Sequence, residues 1–249
     1  MTGRRALAAI PARYASTRFP GKPVAPILGR PMIAHVIDRA LEAGCFAEVV
    51  VATDDERIAA AAEHAGARAV MTGAASSGTD RVAQAVRDLE GEVVVNLQGD
   101  EPALPPGNLR LITELLLARP DIPMATLALP GSPADLANPN VVKVVCGLDG
   151  RALYFSRAAI PYQRNADPGL IRRHVGIYGF QRDALFRFAA LPEARLEHAE
   201  GLEQLRALAH GIALHVLDVS EASVGVDVPD DIPLAEAALL ALASRKERP

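Results

Sequence analysis

Cysteine is scarce in this chain, which has only Cys45 and Cys146 among its 249 residues. Because the two lie far apart and outside any C-x-x-C spacing, we expect neither a disulfide framework nor a cysteine zinc site. The histidines show no ligand spacing such as H-E-x-x-H, so a structural zinc site is not expected either. So little cysteine fits a protein of the reducing cytoplasm.

Long apolar runs and an excess of positive charge are missing as well. Prolines interrupt the apolar stretch 122–134 and Glu236 interrupts the stretch 234–242, whereas a membrane helix needs roughly 20 apolar residues in a row. The formal net charge is −4, which argues against a protein that holds nucleic acid by neutralising a run of phosphates. We therefore expect a soluble protein with no membrane and no nucleic-acid partner.

What the chain has in quantity is apolar sequence, which makes up half of its residues. Short β-branched runs alternate with segments of helical period, the pattern of parallel strands joined by crossover helices. In the first half this pattern predicts strands at 6–10, 48–53, 67–71 and 92–98, and helices at 31–43, 55–65, 79–89 and 106–118. The sequence therefore predicts an α/β fold.

From Met124 onward the rhythm changes, and strands follow one another with turns between them. The Asp149-Gly150 turn between the runs 141–146 and 151–155 favours a β-hairpin. The remaining elements predicted in this half are a strand at 212–219 and helices at 183–190, 200–210 and 231–243. We expect a mixed sheet, more antiparallel in its second half, in a single domain because no repeat or linker divides the chain.

The loop after the first predicted strand is dense in cations and hydroxyls. Its candidate phosphate ligands are Arg13, Ser16, Arg18 and Lys22. Ligands of open α/β sheets bind beyond the carboxyl ends of the strands, and a triphosphate needs positive charge and donors at short range. A solvated basic loop is the alternative interpretation. A Walker A loop and a G-x-G-x-x-G motif are both absent after this strand, which excludes an ordinary ATPase and a dehydrogenase.

Two acidic residues far apart in the sequence each follow an apolar run. Asp100 comes after the predicted strand 92–98, and Asp227 ends the run before Pro229. A Mg²⁺ ion that accompanies nucleotide phosphates takes one or two carboxylates plus waters, so these two are the candidate metal ligands. The alternative for Asp100 is a loop acid that caps a turn. The sequence does not show whether the two acids converge.

Three further segments place polar groups on otherwise apolar elements. The segment 77–81 lies where a loop enters a helix, so Thr79 is a candidate N-cap and Asp80 a favourable acid of the first turn. The segments 174–178 and 200–206 also carry polar side chains. Taken singly, such groups are more often exposed or satisfied within the core than functional.

Taken together, these segments resemble the CMP-Kdo synthetases, the 3-deoxy-manno-octulosonate cytidylyltransferases, almost from end to end. The resemblance rests on motifs in one fixed order, which are IPARYASTR (10–18), PGKP (20–23), ATDD (52–55), SGTDR (77–81), NLQGDEP (96–102), YFSR (154–157), HVGIY (174–178) and LEQLR (202–206). It implies a Rossmann-like nucleotide-diphospho-sugar transferase fold with a mixed, mostly parallel central sheet. It also implies a nucleotide-binding part at about 1–122 and a sugar-binding and dimerisation part at about 123–249.

The resemblance implies a role for each candidate residue. The phosphates of CTP would be held by Arg13, Ser16, Arg18 and Lys22. The remainder of the nucleotide pocket would be formed by Ser77, Gly78, Arg81 and Gln98. Catalysis would depend on Asp100 and Asp227, which would bind Mg²⁺, and on Arg13 and Lys22, which would stabilise the leaving pyrophosphate. The acidic sugar would be contacted by Gln98, Arg157, His174, Tyr178, Glu203 and Gln204.

The reaction implied is attack by the anomeric hydroxyl of the acidic 3-deoxy sugar Kdo on the α-phosphorus of CTP. Pyrophosphate leaves, and no covalent enzyme intermediate is needed. By the same resemblance the chain would be a homodimer that activates Kdo for lipopolysaccharide biosynthesis in a bacterial cytoplasm.

One position departs from the family pattern. The family usually has His two residues before the SGTDR segment, whereas this chain has Ala75. This departure leaves open a different acidic sugar, such as an 8-amino analogue of Kdo. Further alternatives are a nonulosonic acid such as a sialic acid, a sugar 1-phosphate as the acceptor, and a catalytically silent module that only senses CTP.

Overall fold

The computed structural model describes residues 3–15 and 19–246 of the chain. The strands of the first half are β1 (Ala6–Ala12), β2 (Pro26–Ile27), β3 (Arg30–Pro31), β4 (Glu48–Thr53), β5 (Arg68–Met71) and β6 (Val93–Asn96). Its helices are α1 (Met32–Ala43), α2 (Glu56–His64), α3 (Gly78–Ala85) and α4 (Pro106–Ala118). Strand β1 pairs in parallel with β4 and β6, and β4 pairs in parallel with β5. The predicted alternation of parallel strands and crossover helices is therefore confirmed.

The second half contributes strands of both directions. They are β7 (Met124–Pro130), β8 (Lys143–Cys146), β9 (Ala152–Ser156), β10 (Arg172–Gln181) and β11 (Leu214–Asp218). The helices are α5 (Pro133–Ala137), α6 (Arg182–Ala189), α7 (Arg195–Glu200), α8 (Leu205–Ala209) and α9 (Ile232–Lys246). Strand β10 lies antiparallel between β6 and β7, which gives the order β11-β7-β10-β6-β1-β4-β5. The mixed sheet and the β8–β9 hairpin are both confirmed.

Helices cover both faces of the sheet because side chains alternate along its central strands. Along β1, Ala8 and Ile10 face one helical layer, and Leu7 and Ala9 face the other. The first layer contains α1, α2 and α4, and the second contains α3, α6 and α8. Since both faces are buried, the central strands are near-continuous apolar runs in the sequence.

Helix α9 contributes to a third apolar cluster outside these two layers. Its Ala235 and Leu239 pack with Ile27, Met32 and Val226. This packing fixes the loop before α9. That loop carries one of the two candidate metal ligands.

Strand β10 is irregular where it passes β7. Val175 lies opposite Leu127, but Tyr178 lies opposite Thr126, so two additional residues of β10 are accommodated in a bulge. Carbonyl groups in the bulge accept hydrogen bonds from side chains instead of a neighbouring strand, and the donors are Thr126 and Gln98. The bulge therefore connects β10 to side chains at the centre of the sheet.

The helix predicted over 200–210 is wrong. Helix α7 ends at Glu200, where Gly201 adopts the left-handed conformation with φ 62° and its N–H bonds the carbonyl of Glu197. Helix α8 begins only at Leu205, and Arg206 pairs back to Glu197 at 2.6 Å across the break. A glycine at this cap favours the chain reversal. The break leaves residues 201–204 outside both helices.

Within residues 3–15 and 19–246 we find no helix that combines the length and the apolar character needed to span a membrane.

Candidate active site

A cavity of about 300 Å³ opens beyond the carboxyl ends of β1 and β6. The predicted nucleotide or catalytic residues that line it are Arg13, Lys22, Ser77, Gly78, Arg81, Gln98 and Asp100. Ala75 also lines the cavity, so a methyl group stands where the resemblance implies an imidazole. The predicted ligands Ser16 and Arg18 lie outside the described residues. Residues from three separate segments of the sequence thus share one wall.

The loop after β1 is held in place at both of its described ends. Gly21, at φ 72°, donates its N–H to the carbonyl of Tyr14 at 3.0 Å. The guanidinium of Arg57 lies 3.4 Å from the centre of the Tyr14 ring and pairs with Asp55 at 2.7 Å. A cation stacked in this way stabilises the aromatic ring. Arg13 is therefore presented to the cavity from an anchored loop.

Lys22 brings the two candidate metal ligands together. Its Nζ donates to Asp100 Oδ2 at 2.6 Å and lies 3.7 Å from Asp227 Oδ1. The same Nζ donates to the carbonyl of Val226 at 3.0 Å, and the Val226 N–H donates to the carbonyl of Asp100 at 2.8 Å. The ends of two apolar runs far apart in the sequence therefore meet at one ammonium group.

Negative charge is concentrated at this point of the site. Glu101 is next to Asp100, and burial, together with the charge of Asp100, raises the pKa of Glu101 to about 7. Among the described residues no group of three or more His, Cys, Asp or Glu side chains is arranged to hold a metal ion. Asp100 and Asp227 still fit Mg²⁺, because this ion typically takes one or two carboxylates and completes its shell with waters and phosphate oxygens.

The N-cap of α3 is Ser77, so the prediction of Thr79 at that position is wrong. Ser77 Oγ accepts the N–H of Asp80 at 3.1 Å and donates its own proton to Glu203 Oε1 at 2.7 Å. Thr79 is the second residue of the helix and accepts from Asn96 Nδ2 at 3.2 Å. The reason is geometric, since only the residue before the first helical N–H groups can accept from them.

Arg81 is buried and held by two partners. Its guanidinium donates to Asp54 Oδ2 at 2.7 Å and to Thr72 Oγ1 at 2.5 Å. With both contacts in place, the side chain is fixed where it lines the cavity. Asp54 belongs to the ATDD motif, but the sequence assigns it no role.

The predicted sugar-binding residues are only partly brought to the cavity. Gln98 lines it and donates to the carbonyl of Gly176 in β10 at 2.9 Å. The side chains that do not line it are Arg157, His174, Tyr178, Glu203 and Gln204. They lie on β10 and on the segments after β9 and α7, beyond Gln98 and Ser77.

His174 is held in one tautomer by Thr126. The single proton of the Thr126 hydroxyl goes to the carbonyl of Ile177 at 2.7 Å, so His174 Nε2, 2.9 Å away, is the donor to Thr126 Oγ1. The imidazole also contacts the rings of Phe155 and Tyr178. Desolvation lowers the pKa of His174 to about 3, so the ring is neutral at pH 7 and its Nδ1 is an acceptor.

Glu203 lies between Ser77, which lines the cavity, and Tyr178 of β10. Burial raises the pKa of Glu203, which the Ser77 hydroxyl opposes by donating to the carboxylate. Burial and the charge of Glu203 in turn raise the pKa of the Tyr178 phenol. Next along the chain, Gln204 is buried with its Nε2 lacking a hydrogen-bond partner among the described residues. An unmet buried donor favours a ligand or a water at this position.

Arg157 is bound by Glu200, a residue for which the sequence indicates no role. The Glu200 carboxylate accepts from Ser156 Oγ at 2.6 Å and from the Arg157 N–H at 2.9 Å. Arg157 Nε donates to the carbonyl of Glu200 at 2.9 Å. Glu200 is the first residue of the polar segment 200–206 and lies two residues before the LEQLR motif, and the sequence contains no stronger signal for it.

Comparison with known proteins finds similarity over nearly the whole chain. A family model described as Cytidylyltransferase matches residues 7–216. A 3-deoxy-manno-octulosonate cytidylyltransferase of Anaeromyxobacter sp. (strain Fw109-5) is 52% identical over 241 residues, which cover 96% of this chain and 98% of the relative. A protein of the same name from Escherichia coli is 45% identical over 226 residues, which cover 90% of this chain and 92% of the relative.

A solved structure is also similar to this chain. CMP:2-keto-3-deoxy-manno-octonic acid synthetase complexed with CTP superimposes with a TM-score of 0.91 at 44% identity. The superposition covers 96% of this chain and 99% of the other. It confirms the fold that the sequence motifs imply.

A substitution at Gly99 tests whether CTP binding depends on the close approach of the segment after β6 to the end of β1. A Cβ at this position would lie 2.9 Å from the backbone carbonyl of Pro11, whereas one at Gly225 would meet Asp100 O only at 3.8 Å. We expect Gly99→Ala to lower the affinity for CTP about tenfold, or about 1.4 kcal/mol, because it separates Gln98 and Asp100 from the loop after β1. Calorimetric titration measures this affinity. Gly225→Ala is the control and should bind CTP as the wild type does.

His174 makes stability depend on pH. Its folded pKa of about 3 lies below the ordinary value of 6.5, so between these values the unfolded chain binds the proton and stability falls as the pH falls. The loss contributed by one such proton is at most about 1.4 kcal/mol per pH unit. We expect His174→Gln to remove this component from urea unfolding curves measured between pH 6.5 and 4. The exposed His64→Gln is the control, and a His174→Gln curve parallel to the wild type would contradict the prediction.

Proposed function

Because the chain belongs to the cytidylyltransferase family, we propose that it transfers the cytidylyl group of CTP to 3-deoxy-manno-octulosonate, giving CMP-Kdo and pyrophosphate. The observation that carries the proposal is the convergence of Asp100, Asp227 and Lys22 beside a cavity lined by Arg13 and Arg81. The names of the relatives that are 52% and 45% identical support Kdo as the acceptor.

The cavity offers the groups that a triphosphate requires. Arg13 and Lys22 supply positive charge for the β- and γ-phosphates, and their charge stabilises the pyrophosphate that leaves. Gly78, the first residue of α3, lines the same cavity, and the start of a helix favours anionic oxygens. The CTP phosphates would therefore lie between the loop after β1 and the start of α3, with Ser16 and Arg18 as the further proposed ligands.

We propose Asp100 and Asp227 as the ligands of Mg²⁺. Their carboxylates converge within 2.6 Å and 3.7 Å of one ammonium nitrogen. Bound Mg²⁺ would supply charge that neutralises the phosphates and favours ionisation of the attacking hydroxyl. With the acids so neutralised, the Lys22 ammonium is available to the phosphates.

The acidic sugar would bind on the side of β10. The guanidinium of Arg157 suits the carboxylate of Kdo, and the neutral His174 offers Nδ1 as an acceptor for a sugar hydroxyl. Gln98 lies between the two sides because it lines the cavity and bonds Gly176 of β10. Tyr178, Glu203 and Gln204 complete the proposed set. The sugar hydroxyl and the α-phosphate would then meet near Gln98.

Ala75 keeps one alternative acceptor open. Its methyl group leaves the cavity wall without the imidazole that the resemblance implies. An 8-amino analogue of Kdo is therefore the second candidate. A nonulosonic acid, a sugar 1-phosphate and a CTP-sensing module without turnover have less support, because the named relatives match over nearly their full length.

We also propose that the protein is a homodimer and acts in the cytoplasm for lipopolysaccharide biosynthesis. Large apolar side chains of the second part are exposed, including Leu153, Tyr162 and Leu170. We propose these side chains as candidates for the contact between the two subunits. Sedimentation equilibrium tests the dimer, and a mass of one chain at micromolar concentration would contradict it.

The proposed function is tested by following pyrophosphate release from CTP, Mg²⁺ and Kdo. Parallel reactions contain ATP, GTP or UTP in place of CTP, and 8-amino-Kdo or N-acetylneuraminate in place of Kdo. Release that requires both CTP and Kdo is expected. Turnover with another acceptor alone would replace Kdo, and CTP binding without release from any acceptor would identify a sensing module.

Substitution of the two acids tests the proposed metal site. Asp100→Asn and Asp227→Asn keep the side-chain shape but remove the charge that holds a hard cation, so we expect kcat to fall on the order of a hundredfold or more. Thermal unfolding should stay close to the wild type. The exposed Asp230→Asn is the control in the same loop. Ordinary turnover by either variant would exclude that acid as a ligand.

A further inference from the structure

Lys143 is a charged residue buried completely at the start of β8, with 0% of its surface exposed. Burial, and then the positive charge of Arg157, lower its pKa. Removing an ammonium group from water costs free energy unless its donors find partners. An apolar side chain would fill the same space at lower cost. Lys143 must therefore do something that an apolar residue cannot.

All three N–H donors of the Lys143 ammonium are given to backbone carbonyls. Nζ lies 2.8 Å from the carbonyl of Asn138, 2.7 Å from that of Val141 and 2.6 Å from that of Arg157. The first two carbonyls precede β8, and the third directly follows β9. One side chain thus ties together the two open ends of the β8–β9 hairpin.

The third of these carbonyls belongs to a residue that Glu200 holds from the other side. The Arg157 N–H donates to the Glu200 carboxylate, and Arg157 Nε donates to the Glu200 carbonyl. Arg157 Nη1 lies 3.4 Å from the carbonyl of Pro139. Among the described residues nothing accepts a hydrogen bond from Nη2. The backbone of Arg157 is therefore fixed on both sides, while one end of its guanidinium is left for a ligand.

We propose that Lys143 is a positioning residue for Arg157, fixing the backbone from which the guanidinium meets the carboxylate of the acidic sugar. The inference rests on the proposed function, because it takes Arg157 as the ligand of that carboxylate. Pairing of a guanidinium with a carboxylate is directional, so a shift of the backbone weakens it. None of the residues that Lys143 bonds lines the nucleotide cavity, so the effect is confined to the sugar.

Steady-state kinetics with Kdo and CTP varied separately test this role. In Lys143→Met we expect the KM for Kdo to rise about tenfold or more, as for other residues that hold a ligand-contacting side chain in place without touching the ligand. The KM for CTP should change less than twofold. Arg151→Met, an exposed cation on the same hairpin, is the matched control. An unchanged KM for Kdo, or an equal rise in both values, would overturn the proposal.

Rescue by a small amine tests whether the ammonium itself is required. Lys143→Ala leaves a space that n-propylammonium fills with the missing carbons and charge, and n-propanol has nearly the same shape without the charge. We expect the amine alone to lower the KM for Kdo toward the wild-type value. Rescue by both compounds or by neither would contradict a role that depends on the charge of the Lys143 ammonium.

One further variant keeps the proposal testable if the Lys143 variants do not fold. Glu200→Gln keeps the shape of the opposing partner and weakens its hold on the Arg157 N–H, so it should also raise the KM for Kdo selectively. A wild-type KM for Kdo in this variant overturns the proposal.

Hydrogen exchange, measured without substrate, separates this inference from the proposed function. Amide exchange over 156–158 should be faster in folded Lys143→Met than in the wild type and in Arg151→Met. If the wild-type protein turns over no CTP with Kdo, the proposed function fails. Faster exchange in Lys143→Met would still support the role of Lys143 in fixing the backbone of Arg157. Normal turnover by the wild type together with unchanged exchange in Lys143→Met would overturn only the role proposed for Lys143.

Discussion

The arrangement of the site depends on the contact of one ammonium group with two carboxylates. Asp100 and Asp227 carry like charges, and their approach in a partly desolvated place is unfavourable without a cation between them. Lys22 provides that cation and also bonds the backbone of Val226. The loop after β1, the end of β6 and the loop before α9 are thereby joined at one point. Each of these segments is anchored separately, by the ring of Tyr14, by the sheet and by the packing of α9.

Much of this fold can be predicted from the sequence because its signals are local. The β-branched runs become parallel strands, the Asp149-Gly150 turn becomes a hairpin, and polar residues after β1 and β6 meet because parallel strands end at the same edge. The meeting of Asp100 and Asp227 is implied only by the family resemblance, since no local pattern links two loops so far apart. The helical period of 200–210 hides the break between α7 and α8, which the left-handed Gly201 and the pair of Arg206 with Glu197 stabilise.

Other parts of the site leave almost no trace in the sequence. Lys143 stands within a β-branched run, where a single polar residue normally indicates the exposed face of a strand. Its partners are backbone carbonyls, which every residue has, so no residue type marks the contact. Glu200 is similarly concealed at the end of a short helix. Thr126 determines the tautomer of His174 from the middle of a buried strand, where threonine is ordinary.

The bulge in β10 has a consequence for how this protein can diverge. Upstream of it on β10 lies His174, a proposed sugar contact, and downstream Tyr178 pairs with Asn96 of β6 in regular register. A strand without such an irregularity would transmit any change of alignment along its whole length. Here the two additional residues of the bulge accommodate such a change, so the register beyond Tyr178 is kept. Insertions or replacements between β7 and the bulge can therefore reshape acceptor selectivity in evolution or in engineering, while the strands that carry the nucleotide side keep their alignment.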